Sequence, residues 1–304
     1  MTLDRVYKEP AMNASSRKTL KYSVLLATTG AMFLAGCDGS TSRTHGVEAA
    51  ESHGADEAHA EVHWGYEDEN GPARWGAMQS DWRQCAEGRR QSPIDLASPV
   101  EKKLPDIAVH RLSEHAVEVL TQKEVLEELD NGHTVQVNVK LPRALRIDKK
   151  SYSLQQFHFH SPSEHTVNGE HLPMEIHFVH EAADGSLAVL GVLVRSGAYN
   201  PAIGSLWSSL PEGEGDSNRT QLPESFAQSL LTEAEDGFYH YSGSLTTPPC
   251  TEGVKWMIKK VPTELSAGQI ERFRAIYDHN NRPTNPLNDR ELYVDSTPSF
   301  RLFD

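Results

Sequence analysis

His158 and His160 stand two residues apart in Gln156-Phe-His-Phe-His160, a stretch in which apolar and polar side chains alternate. Alternation of that period marks a strand, and side chains two apart on a strand leave the same face, separated by about 7 Å of backbone. Two imidazoles placed this way can converge on one metal ion. A third nitrogen must come from a neighbouring strand, and His177 in Glu175-Ile-His177-Phe-Val179 is the best candidate, because it too interrupts an apolar alternation. Three neutral imidazoles with one position left open form the donor set of a catalytic zinc site, where the ion acidifies a bound water. A lone His-x-His pair is more often a surface feature than a ligand pair. Here Gln156 shares the face of His158 and His160, and Glu175 shares that of His177, so acceptors able to orient ligand imidazoles stand beside them.

The elements that must carry these residues are strands. Thr134-Val-Gln-Val-Asn-Val139 puts three valines on one face and three polar groups on the other, and Leu187 to Val194 is continuously apolar, as a strand buried on both faces should be. One clear helix is expected after Ser266, with Gln269 completing a capping box and Ile270, Phe273, Ile276 and Tyr277 forming the apolar stripe. The residues therefore predict a β-rich domain with peripheral helices.

Residues 1–36 read as an export signal. Arg17, Lys18 and Lys21 precede a short apolar run from Val24 to Leu34, and Leu34-Ala-Gly-Cys37 follows. That run is too short to span a bilayer as a retained anchor. Leu-Ala-Gly-Cys resembles a bacterial lipobox, which makes Cys37 the lipidated first residue of the mature chain; an ordinary cleaved signal is the alternative, and Met12 competes with Met1 as the start. The location expected is periplasmic, anchored to a membrane by lipid. Residues 37–62 hold almost no large apolar side chains and should form a tether, and His45, His53 and His59 read better as solvated than as metal-binding. The folded domain is placed at 63–304.

The chain carries a formal charge of −14, and the basic signal hides a still more acidic mature protein. Nucleic acid is an unpromising partner for such a surface. With Cys37 assigned to lipidation, Cys85 and Cys250 remain, and a pair in an exported protein is more naturally a disulfide than a metal site.

In order along the chain stand Gln156-Phe-His-Phe-His160, Ser163-Glu-His-Thr166, Glu175-Ile-His177 and Gly243-Ser-Leu-Thr-Thr-Pro-Pro249. They are joined by His63-Trp-Gly-Tyr66, Gln91-Ser-Pro-Ile-Asp95, Asn131-Gly-His133, Ala188-Val-Leu-Gly191 and Asn281-Arg-Pro283. This series resembles the α-class carbonic anhydrases. The resemblance implies a mainly β (α+β) fold with a large, twisted, mostly antiparallel central sheet and short peripheral helices. It implies one zinc on His158, His160 and His177, with Gln156 and Glu175 orienting ligands, and reversible hydration of carbon dioxide to bicarbonate by zinc-bound hydroxide. Thr246 would orient that nucleophile by accepting its hydrogen bond while donating its own O–H to Glu164; His133 would be the proton shuttle. Val179, Val189, Leu245, Thr247 and Trp256 would form the substrate pocket, with Gln136 and Tyr66 in the cavity wall. Gln136 stands where many relatives have Asn. Cys85 and Cys250 match the bridge of secreted members, and Ser92-Pro93 and Pro248-Pro249 match its cis peptide bonds. Two other readings stand beside the enzyme: a catalytically silent binding protein of this fold, and a zinc-carrying lipoprotein. Monomer and dimer are both open.

Overall fold

The computed structural model describes residues 62–303 apart from 111–125, 131–132, 211–216, 224 and 232–233. The signal, Cys37 and nearly all of the expected tether lie outside the described residues.

The strands are β1 (Val100–Lys102), β2 (Ile107–His110), β3 (Leu126–Asp130), β4 (Val135–Ile147), β5 (Lys150–His160), β6 (Thr166–Val167), β7 (Glu170–His171), β8 (Met174–Ala182), β9 (Leu187–Ser196), β10 (Ser217–Thr220), β11 (Phe238–Ser244), β12 (Glu252–Lys259), β13 (Thr263–Leu265), β14 (Tyr293–Asp295) and β15 (Phe300–Phe303). All but β6 and β7, which form a separate ribbon, join one large sheet in the order β1-β14-β11-β12-β9-β8-β5-β4-β2-β15, with β3 and β10 added beside β4 and β13 beside β9. The long central pairs β4–β5, β5–β8 and β8–β9 are antiparallel. Parallel pairing enters where β9 meets β12, so the sheet is mixed but mostly antiparallel.

Alternation decides which face of the sheet each residue serves. Val135, Val137, Phe157, Phe159, Ile176 and Phe178 point into the larger apolar core, which the helices Pro201–Trp207, Phe226–Leu230 and Ala267–Arg274 close from outside. Each large side chain buried there contributes roughly 1.5–3 kcal/mol. The opposite face carries a second cluster around Ile94, Leu96, Val189, Tyr241, Trp256 and Ile258. The helix after Ser266 has the expected capping box, but ends at Arg274. Ile276 and Tyr277 sit in the turn beyond it, where both backbone amides bond to Phe273 O, and they pack on the core from that turn rather than from the helix.

Candidate metal centre

On β5 and β8 the register sets His158 directly opposite His177 and His160 opposite Glu175. The apolar partners Phe157, Phe159 and Phe178 are drawn to the larger core, so the histidines between them are turned to the other face. Ring centroids are 5.0 Å apart for His158 and His160, 5.3 Å for His158 and His177, and 4.6 Å for His160 and His177. One nitrogen from each ring lies within 4.8 Å of the other two.

Which nitrogens these are follows from what holds the rings. His160 Nδ1 donates to the Asn280 carbonyl at 2.7 Å; a carbonyl only accepts, so Nδ1 carries the proton and Nε2 keeps a lone pair. His158 Nδ1 pairs with Gln156 Oε1 at 2.8 Å, which again leaves Nε2. His177 Nε2 lies 3.0 Å from Glu175 Oε1, an electrostatic contact that leaves Nδ1. His160 Nε2 is buried without a hydrogen-bond partner, as is Glu164 Oε2 beside it. Orphaned buried acceptors are costly in an apolar interior. Three lone pairs meeting at one point remove that cost if a cation sits between them, so the residues fit zinc.

Burial, reinforced by the neighbouring rings, pushes His158 well below the usual histidine range, and burial also lowers His160. For His177 burial is outweighed by the Glu175 carboxylate, and the ring is raised. Glu175 itself is fully buried, yet its pairing with His165 and His177 overcomes desolvation and holds it well below the usual carboxylate range. Its Oε2 accepts the Glu164 and His165 backbone amides, both at 2.9 Å, and its Oε1 meets His165 Nδ1 at 2.8 Å. His165 Nε2 pairs with Tyr241 Oη at 2.7 Å, so both nitrogens of His165 are engaged, one by Glu175 and one by Tyr241. Gly191 opposes His177 on β9; a Cβ there would stand 2.5 Å from Ile258 Cδ1 and 3.1 Å from Glu175 Oε1, so a larger residue would displace the end of Ile258 and press on the carboxylate.

Thr246 and Glu164 are both buried, and Glu164 lies beside the histidines. Glu164 Oε1 accepts the Arg282 backbone N–H at 2.9 Å, while Oε2 faces His160 Nε2 at 3.6 Å and His177 Nδ1 at 3.8 Å. The hydrogen bond expected from Thr246 to Glu164 is not made in this conformation, because Oε2 turns to the imidazoles instead. Val179 pairs with Val189, and Val189 with Trp256, in one row across β8, β9 and β12. These three, with Leu245, belong to the apolar cluster on the histidine face, and the Trp256 ring lies 4.8 Å from that of His177. Thr247 is half-buried in the turn after β11. Gln136 pairs with His158 and donates from Nε2 to Asn138 Oδ1 at 2.7 Å. Tyr66 is half-buried, and burial followed by the Glu164 charge raises its hydroxyl well above the usual range. Cys85 and Cys250 form a disulfide, and the peptide bonds before Pro93, Pro162 and Pro249 are cis.

Two contributors are not singled out from the sequence. Asn280 acts through its carbonyl, and its Nδ2 also donates to His133 O at 3.0 Å and Phe159 O at 2.9 Å. His165 stands inside a motif already noted, yet only the fold shows it gripping Glu175.

A curled sheet that aims three imidazole lone pairs at one point, at the foot of an apolar wall, is the scaffold of a mononuclear metal site. The eukaryotic-type carbonic anhydrase family model matches residues 70–296. A carbonic anhydrase of Pectobacterium carotovorum is 39% identical over 230 residues, covering 75% of this chain and 89% of the relative. One from Nostoc sp. is 40% identical, covering 75% and 84%. The solved α-carbonic anhydrase of Thermovibrio ammonificans in complex with the inhibitor sulfanilamide superimposes with a TM-score of 0.69 at 39% identity, covering 77% of this chain and all of that one. The chain belongs to the eukaryotic-type carbonic anhydrase family, whose reaction is the reversible hydration of carbon dioxide.

Proposed function

We propose that this protein hydrates carbon dioxide reversibly to bicarbonate and a proton, with one zinc held by His158, His160 and His177. The observation that carries the reading is the convergence of three imidazole nitrogens whose opposite nitrogens are engaged by Gln156, Asn280 O and Glu175. Bound there, zinc would act as a Lewis acid and bring its water to a pKa of about 7, for which carbonic anhydrase is the reference case.

The rest is supplied by the chain. Carbon dioxide has no net dipole, and Val179, Val189, Leu245 and Trp256 offer it an apolar wall next to the imidazoles, with Thr247 at the edge. Thr246 accepts a hydrogen bond from the nucleophile; donating its single O–H in a hydrogen bond to Glu164, after a small rotation of that carboxylate, directs its lone pairs at the nucleophile. His133 takes the proton that must leave before the next turnover, since an imidazole titrates near neutrality. Gln136 and Tyr66 order the water between them. The silent binding protein is disfavoured because the histidines, Thr246 and Glu164 are all present. The zinc-carrying lipoprotein rests on His45, His53 and His59 alone. We place the protein outside the cytoplasm on a Cys37 lipid anchor, a reading supported by Leu34-Ala-Gly-Cys37 and testable by metabolic lipid labelling of wild type against Cys37→Ser.

Stopped-flow hydration of carbon dioxide, with metal analysis on the same sample, tests the enzyme reading. Activity should vanish on chelation, return with stoichiometric zinc and be absent in zinc-poor His160→Ala. Full activity in a folded, metal-free sample would end it.

A further inference from the structure

Arg282 is 3% exposed, yet its guanidinium has no ion pair among the described residues. Nη1 donates to Gln91 Oε1 at 2.9 Å and to Ser92 O at 2.8 Å, Nη2 donates to Cys85 O at 2.9 Å, and the group lies 5.7 Å from the Trp75 ring centroid. Gln91 Nε2 in turn donates to Cys250 O at 3.1 Å. The side chain therefore ties together the short helix bearing Cys85, the loop at Ser92 and, through Gln91, the turn that carries Thr246 and Cys250. Burying a charge on neutral acceptors is expensive, and a neutral side chain would pack there at lower cost. What the arrangement secures is position. The backbone N–H of this same residue is the one hydrogen-bond donor to the Glu164 carboxylate among the described residues. A carboxylate held through one oxygen is aimed only as well as its donor is fixed.

We propose that Arg282 is a positioning residue for carbon dioxide hydration: its guanidinium immobilises the amide that aims Glu164 between the imidazoles and Thr246. The proposal rests on the enzymatic reading above. Misplacing a reacting arrangement by about 1 Å costs up to roughly a hundredfold in rate. Lysine keeps the charge but loses the planar fork, so it should rescue only in part.

The test compares wild type, R282Q and R282K as full-length protein, each rate normalised to bound zinc. The expected result is a fall in kcat/KM of about tenfold to a hundredfold in R282Q and a smaller fall in R282K. Turnover at saturating carbon dioxide in dilute buffer, limited by proton removal, should change much less; loss of folded protein would lower both together. Per-zinc kcat/KM in R282Q within about twofold of wild type would overturn the proposal, and if R282Q does not fold, the same result in R282K would do so. Crystal structures of the variants give a reading independent of activity. A shifted Glu164 carboxylate supports the proposal, and one still seated on the residue 282 amide overturns it. A wild type without chelator-sensitive hydration would overturn the enzymatic reading instead, and the Glu164 position would still decide the role of Arg282.

Discussion

The imidazole of His133 lies flat on the indole of Trp64, with ring centroids 3.6 Å apart and planes within 13° of parallel. The ring of His63 stands 5.6 Å from the same imidazole. Asn280 holds the backbone of His133 through Nδ2 and the ring of His160 through its carbonyl, so one residue spaces the proposed shuttle from the proposed metal.

If His133 moves the proton, His133→Ala should lower turnover in dilute buffer by about tenfold or more and leave kcat/KM nearly unchanged, and small imidazole buffers should restore the rate. Trp64→Ala, which frees the ring from its stack, should change the buffer dependence without touching zinc content. Equal rates for wild type and His133→Ala in weak buffer would count against the shuttle.

Val189 is 1% exposed in the row between Val179 and Trp256. Val189→Trp should fill the space above the imidazoles and depress kcat/KM by roughly a hundredfold, the scale expected for loss of substrate position. Overpacking should also destabilise the fold by about 1–3 kcal/mol, so zinc content and melting are measured alongside. Unchanged hydration kinetics in folded, zinc-loaded protein would remove these residues from the pocket.

The Cys85–Cys250 bond joins residues 165 apart, and the turn it pins contains Thr246. Alkylation of unreduced, denatured protein should leave both cysteines unmodified. Closing so long a loop stabilises by up to about 5 kcal/mol, so Cys85→Ser with Cys250→Ser should lower the urea midpoint clearly. Two reactive thiols in the unreduced protein would contradict the pairing.

His180 is buried on β8, with Nδ1 on the Phe178 carbonyl at 2.9 Å, and burial lowers its pKa to about 4 despite that bond. The unfolded ring titrates near 6.5, so the unfolded state binds the extra proton between those values. The stability it contributes is complete above about pH 6.5 and is lost as pH falls toward 4, amounting to about 3 kcal/mol. His240, also lowered to about 4, acts in the same direction. His180→Gln should therefore flatten part of the decline in urea-unfolding stability across that window. An unaltered slope would mean that the ring does not titrate as buried.

Period-two alternation in Phe157-His-Phe-His160 and Glu175-Ile-His177 was enough to put three histidines and their acceptors on strand faces, because a strand's side-chain direction depends only on parity. The motif series likewise carried the family and the identity of the candidate residues. Parity cannot say which strands become neighbours. The register that sets His158 against His177 is established between separate strands, and between Leu154 and Gln156 the β5–β8 pairing shifts by a residue. That bulge lets Leu154 and Phe157 both enter the larger core while Gln156, His158 and His160 share the opposite face, and its one trace in the chain is the polar pair Gln155-Gln156. Asn280 O, the Arg282 amide and His165 are further still from legible. Backbone groups look alike in every residue, and only packing across the sheet decides which of them meets an imidazole or a carboxylate.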